Sequence, residues 1–246
     1  MRYSILVLSM MLLGCAKGDD TACSTFVAQD SDQYNFPIRP GMPEWAEFTA
    51  GQAQVDVLQV PEDVLLKMST YGLVETSLDY PLLPSMLAFN NIQKATEDQI
   101  ENFNGLTELT KRSDGALLML RRFQQMDPSC APAGQNMGDY SLFFVYMGML
   151  QAQNVFIEQL TSDERRELLE EALKKYGEFG KPGDTYSISN LETLGFIMAR
   201  VLILEDYDPF LAEMEGNNSI AIFLEGIKSD VLLETLTIIV NYANQY

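Results

Sequence analysis

This chain of 246 residues contains no histidine. Without imidazole there is no Ser-His-Asp or Cys-His arrangement, no histidine zinc ligand and no side chain whose ordinary pKa sits near neutrality. The catalytic options left are carboxylate pairs, Lys or Tyr bases, or a hard cation held by carboxylates. Basic residues are scarce as well, 16 against 35 acids, for a formal charge of −19. Such a surface repels phosphate backbones and anionic headgroups, so nucleic acid is not an expected partner. The acidity reads first as a means of staying soluble and dispersed. A Gly-rich phosphate loop, an Asp-x-Asp-x-Asp-Gly calcium loop and a fixed-period repeat are all missing, which argues against P-loop nucleotide sites, EF-hands and regular tetratricopeptide arrays. No apolar run approaches the roughly twenty residues a membrane-spanning helix requires. Carboxylate pairs are inevitable on paper among so many acids, and none can be singled out. We therefore expect no catalytic residue, no metal ligand and no cofactor.

What is present begins at the first residue. Arg2 precedes an apolar run from Ile5 to Leu13, and Gly14-Cys15 follows, which is the layout of an export signal. Leu12-Leu13-Gly14-Cys15 resembles a bacterial lipobox. Residues 1–14 are then a lipoprotein signal peptide and Cys15 the acylated first residue of the mature chain, with membrane lipid as its partner. Ala16, rather than an acid, after the cysteine fits the outer membrane. Residues 15–42 are polar and punctuated by Pro37 and Pro40, and they read as a flexible acylated tether. Cys15-Ala16-Lys17-Gly18-Asp19-Asp20 resembles the Lys-then-acid export signal of Bacteroidetes surface lipoproteins, interrupted by Gly18. Asp20-Thr21-Ala22 resembles the O-glycosylation pattern of that phylum, with Thr21 as acceptor. With Cys15 taken by lipid, Cys23 and Cys130 are left. An oxidising compartment permits a bridge between them, and two free thiols are the alternative.

From residue 43 to 246 the pattern is helical. Thr49-Ala50-Gly51-Gln52, Thr96-Glu97-Asp98-Gln99, Thr161-Ser162-Asp163-Glu164 and Ser189-Asn190-Leu191-Glu192 each resemble a capping box, Pro61 suits a first helical position, and Gly72, Gly105 and Gly216 suit helix ends. Between Asp163 and Tyr176, Leu168, Leu169, Ala172, Leu173 and Tyr176 make one stripe opposite Glu164, Arg165, Glu167, Glu171 and Lys175, the mark of a surface helix. Tyr140 to Leu150 is apolar on every side and belongs in the core. Val231 to Tyr242 reads as a last helix capped by Ser229, with a strand over Thr237–Val240 as the alternative. The fold class is all-α: an irregular, superhelix-like stack of about nine or ten helices. The chain is too short for a six-hairpin α/α toroid.

Two polar groups stand out. Glu205-Asp206-Tyr207-Asp208 joins two helices, and Asp208 before Pro209 reads as an N-cap. Asn104, Glu108 and Arg112 fall four apart on one helical face, with Glu108 and Arg112 in the favourable order for an ion pair. That trio is either a structural network fixing how two helices meet or a grip for a carboxylate or phosphate. Leu58 to Leu65, Met68 to Leu83 and Phe103 to Asp114 together resemble a group of Bacteroidetes surface lipoproteins over residues 43–125. The resemblance implies an all-helical body at the cell surface and makes the trio a family feature without assigning its role. The expectation is a non-catalytic protein-interaction or scaffolding module in the outer membrane with a protein partner there. The alternative is a glycan or small-molecule binder using aromatics such as Tyr140, Phe143, Phe144 or Tyr146.

Overall fold

In the computed structural model the described residues are 32–49, 51–131, 136–179, 187–227 and 230–246. The signal peptide, the acylated Cys15, Thr21 and Cys23 lie outside them. The first half holds α1 (Gly51–Val57), α2 (Glu62–Leu65), α3 (Thr70–Leu78), α4 (Ile92–Asn102), α5 (Asn104–Leu109) and α6 (Gly115–Gln124). The second holds α7 (Met137–Gln151), α8 (Asn154–Ile157), α9 (Ser162–Glu178), α10 (Ile188–Leu204), α11 (Asp208–Gly216), α12 (Asn218–Leu224) and α13 (Leu232–Ala243). Short 3-10 helices cover Pro43–Glu47 and Leu83–Ala88. The protein is all-α, and ten of these α-helices run for seven residues or more. Among the described residues the only β pairing is an isolated bridge between Asn91 and Ile227.

The most apolar segments occupy the middle, as burial of their surface demands. Every residue of α10 from Thr193 to Leu202 is buried, and α10 packs against α7, α9 and α13. Two glycines permit that closeness. A Cβ on Gly148 of α7 would sit 2.6 Å from the Thr193 hydroxyl oxygen, and one on Gly195 would collide with Leu236 of α13 and Phe223 of α12. Asn190, fully buried, ties the two central helices together: Ser141 Oγ donates to its Oδ1 at 3.0 Å, and its Nδ2 donates to the Ser141 carbonyl at 2.8 Å. The helices α3 to α6 form a second layer that meets α7 from the other side. Tyr80 and Phe103 stack there with centroids 4.0 Å apart, and Phe36 tilts against both.

Phe36 marks a correction, because residues 32–39 are not tether. Asp32 accepts hydrogen bonds from the Ser69 amide and hydroxyl, both at 2.6 Å. Ser69 holds its carboxyl below the usual range. The Tyr34 amide donates to Thr76 Oγ1 at 2.9 Å, Phe36 is buried, and Arg39 pairs with both oxygens of Asp79, the residue closing α3. The packed body therefore starts upstream of residue 43. Proline and polar spacing concealed this, because one buried ring anchors a segment whose other residues are exposed or half-buried.

Several helix ends also differ from expectation. The box at Thr161 and Glu164 is present as read. By contrast α4 starts at Ile92 because Asn91 Oδ1 accepts from the Lys94 amide, leaving Thr96 inside the helix and donating to the Ile92 carbonyl. Helix α10 starts after Ser187, not Ser189, because Asn190 completes the box from its buried position. Gly72 lies within α3 and Gly105 within α5, whereas Gly216 does end α11. Asp208 is the first residue of α11 and Tyr207 its cap. Residues Thr237–Val240 are helical. Lys175, placed by periodicity on the wet face of α9, is only 1% exposed.

Arg122 and Glu75 form a buried ion pair between α6 and α3, with Arg122 Nε donating to Glu75 Oε1 at 2.7 Å. Burial pushes the Glu75 carboxyl up, and Arg122 pulls it back. Removing Arg122 leaves a buried carboxylate alone, so Arg122→Met is expected to lose about 3 kcal/mol at pH 8. Glu75 in that variant has a folded pKa above its unfolded one. Its penalty is then absent at low pH and grows as pH rises through the folded pKa. Urea melts should accordingly show a smaller deficit at pH 5 than at pH 8.

Candidate functional site

The trio read from sequence is brought together, but against the backbone. Asn104 opens α5 with its amide donating to Gln59 Oε1 at 2.9 Å. Its side chain makes a reciprocal pair with Val60, Nδ2 to the carbonyl at 2.7 Å and Oδ1 from the amide at 3.0 Å. Arg112 Nε donates to Glu108 at 2.8 Å, and its two Nη groups donate to the carbonyls of Met68 and Leu65 at 3.2 and 3.3 Å. These bonds clamp the segment 59–68 onto α5, and Arg112 is given over to carbonyls and Glu108 rather than to an open surface.

Cys130 is disulfide-bonded, and its partner lies outside the described residues. Tyr140, Phe144 and Tyr146 are buried. Burial pushes the Tyr146 hydroxyl up to about 12, and it has no hydrogen-bond partner among the described residues. Phe143 and Tyr146 line a shallow hollow of about 320 Å³ beside Pro40, Pro81 and the Arg39–Asp79 pair. Glu205 is the hub of a structural knot, accepting from Ser162, Arg165 and the Tyr246 hydroxyl. It joins α9 to both the end of α10 and the C-terminus.

A sizeable cleft lies elsewhere, at a residue that sequence reading did not single out. Arg200 is the only charged side chain between Glu192 and Glu205, on a helix that is otherwise apolar there. A lone cation in such a run was the available signal, since burial of an unpaired charge demands compensation. Its side chain is 8% exposed and lies over the Phe196 ring at 5.2 Å. Nη1 donates to the carbonyl of Ala152, the residue closing α7, at 2.7 Å. Nη2 donates to Gln93 Oε1 at 2.6 Å and, at 3.4 Å, to the carbonyl of Leu224 ending α12. Burial pushes the guanidinium down to about 10, against an opposing pull from Glu97, so it stays cationic at neutral pH.

The cleft at this arginine holds about 500 Å³ and is lined by Gln93, Glu97, Asn154, Arg200, Leu204 and Glu225 among others. A second hollow of about 260 Å³ shares Gln93, Glu97, Asn154 and Arg200 with it. Together they make one groove between α4, the start of α8, the second half of α10 and the end of α12. Its size falls within the usual range for small-molecule sites.

Among the described residues no carboxylate comes within ion-pair distance of Arg200, whereas Arg39, Arg112, Arg121, Arg122 and Arg165 each have one. A guanidinium carries five N–H donors, and only three of those on Arg200 find acceptors among the described residues. None of its nitrogens is sealed away without a partner. Arg200 lines the cleft, and a planar anionic group there is the kind of acceptor that suits a guanidinium with donors to spare. Chemically, such an arrangement can accept a carboxylate or a similar oxyanion. Comparison of the chain with protein-family models, with curated proteins and with solved structures found no match in any of the three.

The two arginine clusters should separate experimentally. Arg112→Ala is expected to lose about 2 kcal/mol of stability, as for charged hydrogen bonds to buried acceptors. It should leave any ligand of the Arg200 cleft bound with unchanged affinity. Chemical denaturation and a binding titration on the same variant check both statements.

Proposed function

We propose that this chain is an outer-membrane lipoprotein, acylated at Cys15 and probing the cell exterior, whose helical body is a non-catalytic binding module. In this reading the module holds a small ligand by an anionic group laid against Arg200. The observation that carries it is a buried guanidinium that lines a cleft of about 500 Å³, with donors to spare and no carboxylate within ion-pair distance among the described residues. The lipobox at Leu12–Cys15 and the polar segment after it support the address. No helix among the described residues is long and apolar enough to cross a membrane, so the proposed attachment rests on the lipid.

A protein-docking role is the second reading, and one observation favours it. Leu87 and Phe89 are exposed beside Gly226, next to the equally exposed Ile227. This is an apolar spot on an otherwise acidic surface.

Three measurements test the proposal. Native mass spectrometry of the lipoprotein, purified in gentle detergent from its own cells, is expected to show a bound small acid. The adduct should vanish in Arg200→Met and in Asn154→Trp, the latter filling the cleft mouth from an exposed position. An adduct-free protein that instead cross-links through Phe89 to a stoichiometric partner would replace this reading with the docking one. Cys15→Ser should move the protein to the soluble fraction and abolish palmitate labelling, and persistent membrane attachment would refute the anchor. Non-reducing peptide mapping is expected to join Cys130 to Cys23, since an acylated Cys15 sulfur is unavailable.

A further inference from the structure

The Arg200 cleft has three kinds of wall, and their combination selects among anionic ligands. The base is the buried guanidinium. At the mouth stand two exposed carboxylates, Glu97 on α4 and Glu225 just past α12. The other cation there, Lys94, is engaged with Asp98 at 2.8 Å. A ligand that is negative throughout is drawn to Arg200 and repelled at the mouth, on a chain already carrying −19. A ligand with a carboxylate at one end and an ammonium at the other satisfies both.

The spacing of the two charges supports this. Gln93 Oε1 accepts from Arg200 while Gln93 Nε2 donates to Glu97 Oε1 at 2.8 Å. A single side-chain amide thus separates the guanidinium from the carboxylate, so the two charged groups are close enough to be bridged by one small zwitterion. The third wall is apolar, formed by Ile203, Leu204 and Leu224.

We propose that the cleft binds α-amino acids with apolar side chains. The ligand carboxylate accepts from Arg200, its ammonium donates to Glu97, and its side chain lies on Ile203, Leu204 and Leu224. This rests on the reading of the cleft as a ligand site and narrows it to one class. Recognition is non-covalent.

The test is isothermal titration of the detergent-solubilised lipoprotein with four probes. These are L-leucine, 3-methylbutylamine (no carboxylate), 4-methylpentanoate (no ammonium) and inorganic phosphate. L-leucine is expected to bind, and each single-charge analogue at least about tenfold more weakly, as for loss of one charged hydrogen-bonding group. Glu97 is exposed, so Glu97→Gln should fold normally. It is expected to weaken leucine about fivefold, the upper range for an accessible ion pair, and to leave 4-methylpentanoate bound as well or more tightly, since one repelling carboxylate is gone. If 4-methylpentanoate or phosphate matches leucine and Glu97→Gln is neutral, the zwitterion proposal falls while Arg200 remains an anion site. If no probe binds but native mass spectrometry still finds a bound acid, only the ligand class is wrong. Absence of both overturns the ligand-site reading itself.

Discussion

Short helices end in carbonyls that have no partner within the helix, and in this protein buried and half-buried cations reach across to take them. Each α-helix leaves about four such groups at its C-terminus, which water or a side chain must satisfy. Arg112 takes the carbonyls of Leu65 and Met68 after α2, and Lys175 takes that of Met126 beyond α6. Arg165 takes that of Leu160 after α8, and Arg200 those of Ala152 and Leu224 at the ends of α7 and α12. A positive charge at the negative end of the helix dipole strengthens each contact. A chain with only 16 bases thus commits several of them to the interior, where they fix how neighbouring helices meet.

Lys175 shows the physical balance. Its ammonium donates to Met126 and Glu171, both at 2.6 Å, and lies 4.9 Å from the Phe123 ring. Burial still pushes its pKa down. Desolvation is thus only partly offset, and the group persists because the carbonyl, the carboxylate and the ring surround it. Arg200 follows the same design with one difference: carbonyls and an amide hold it, but among the described residues no carboxylate lies within ion-pair distance. The structural clasp and the proposed ligand grip are therefore one residue. The geometry that closes the ends of α7 and α12 also presents a positive charge to the cleft.

Much of the fold was legible in residue patterning. The apolar run at Tyr140–Leu150 is the heart of α7, and the Thr161 box opens α9. The Leu168–Leu169–Ala172 stripe is buried. Misread ends have a common cause. A capping side chain two to five residues upstream, Asn91 for α4 and Ser187 for α10, wins because its partner is fixed by tertiary contacts such as those of Asn190 with Ser141. Gly148 and Gly195 were silent in sequence because their role is the absence of a side chain facing another helix. The candidate site was less legible still. Asn104, Glu108 and Arg112 share a helical face by spacing alone, yet the carbonyls they reach belong to a segment some forty residues away.

Composition and local order by themselves determined the all-α class, the exclusion of every histidine-dependent chemistry and the helix-forming segments, because these depend on side-chain inventory and on periodicity along the chain. Only tertiary structure decided that residues 32–39 belong to the body, that Lys175 is buried, and that Arg200 faces a cleft with Gln93 and Glu97. Those outcomes depend on which distant carbonyls and rings surround a charge. A buried cation is stabilised by partners separated from it in sequence, 107 residues in the case of Arg200 and Gln93, and no local pattern records such a meeting.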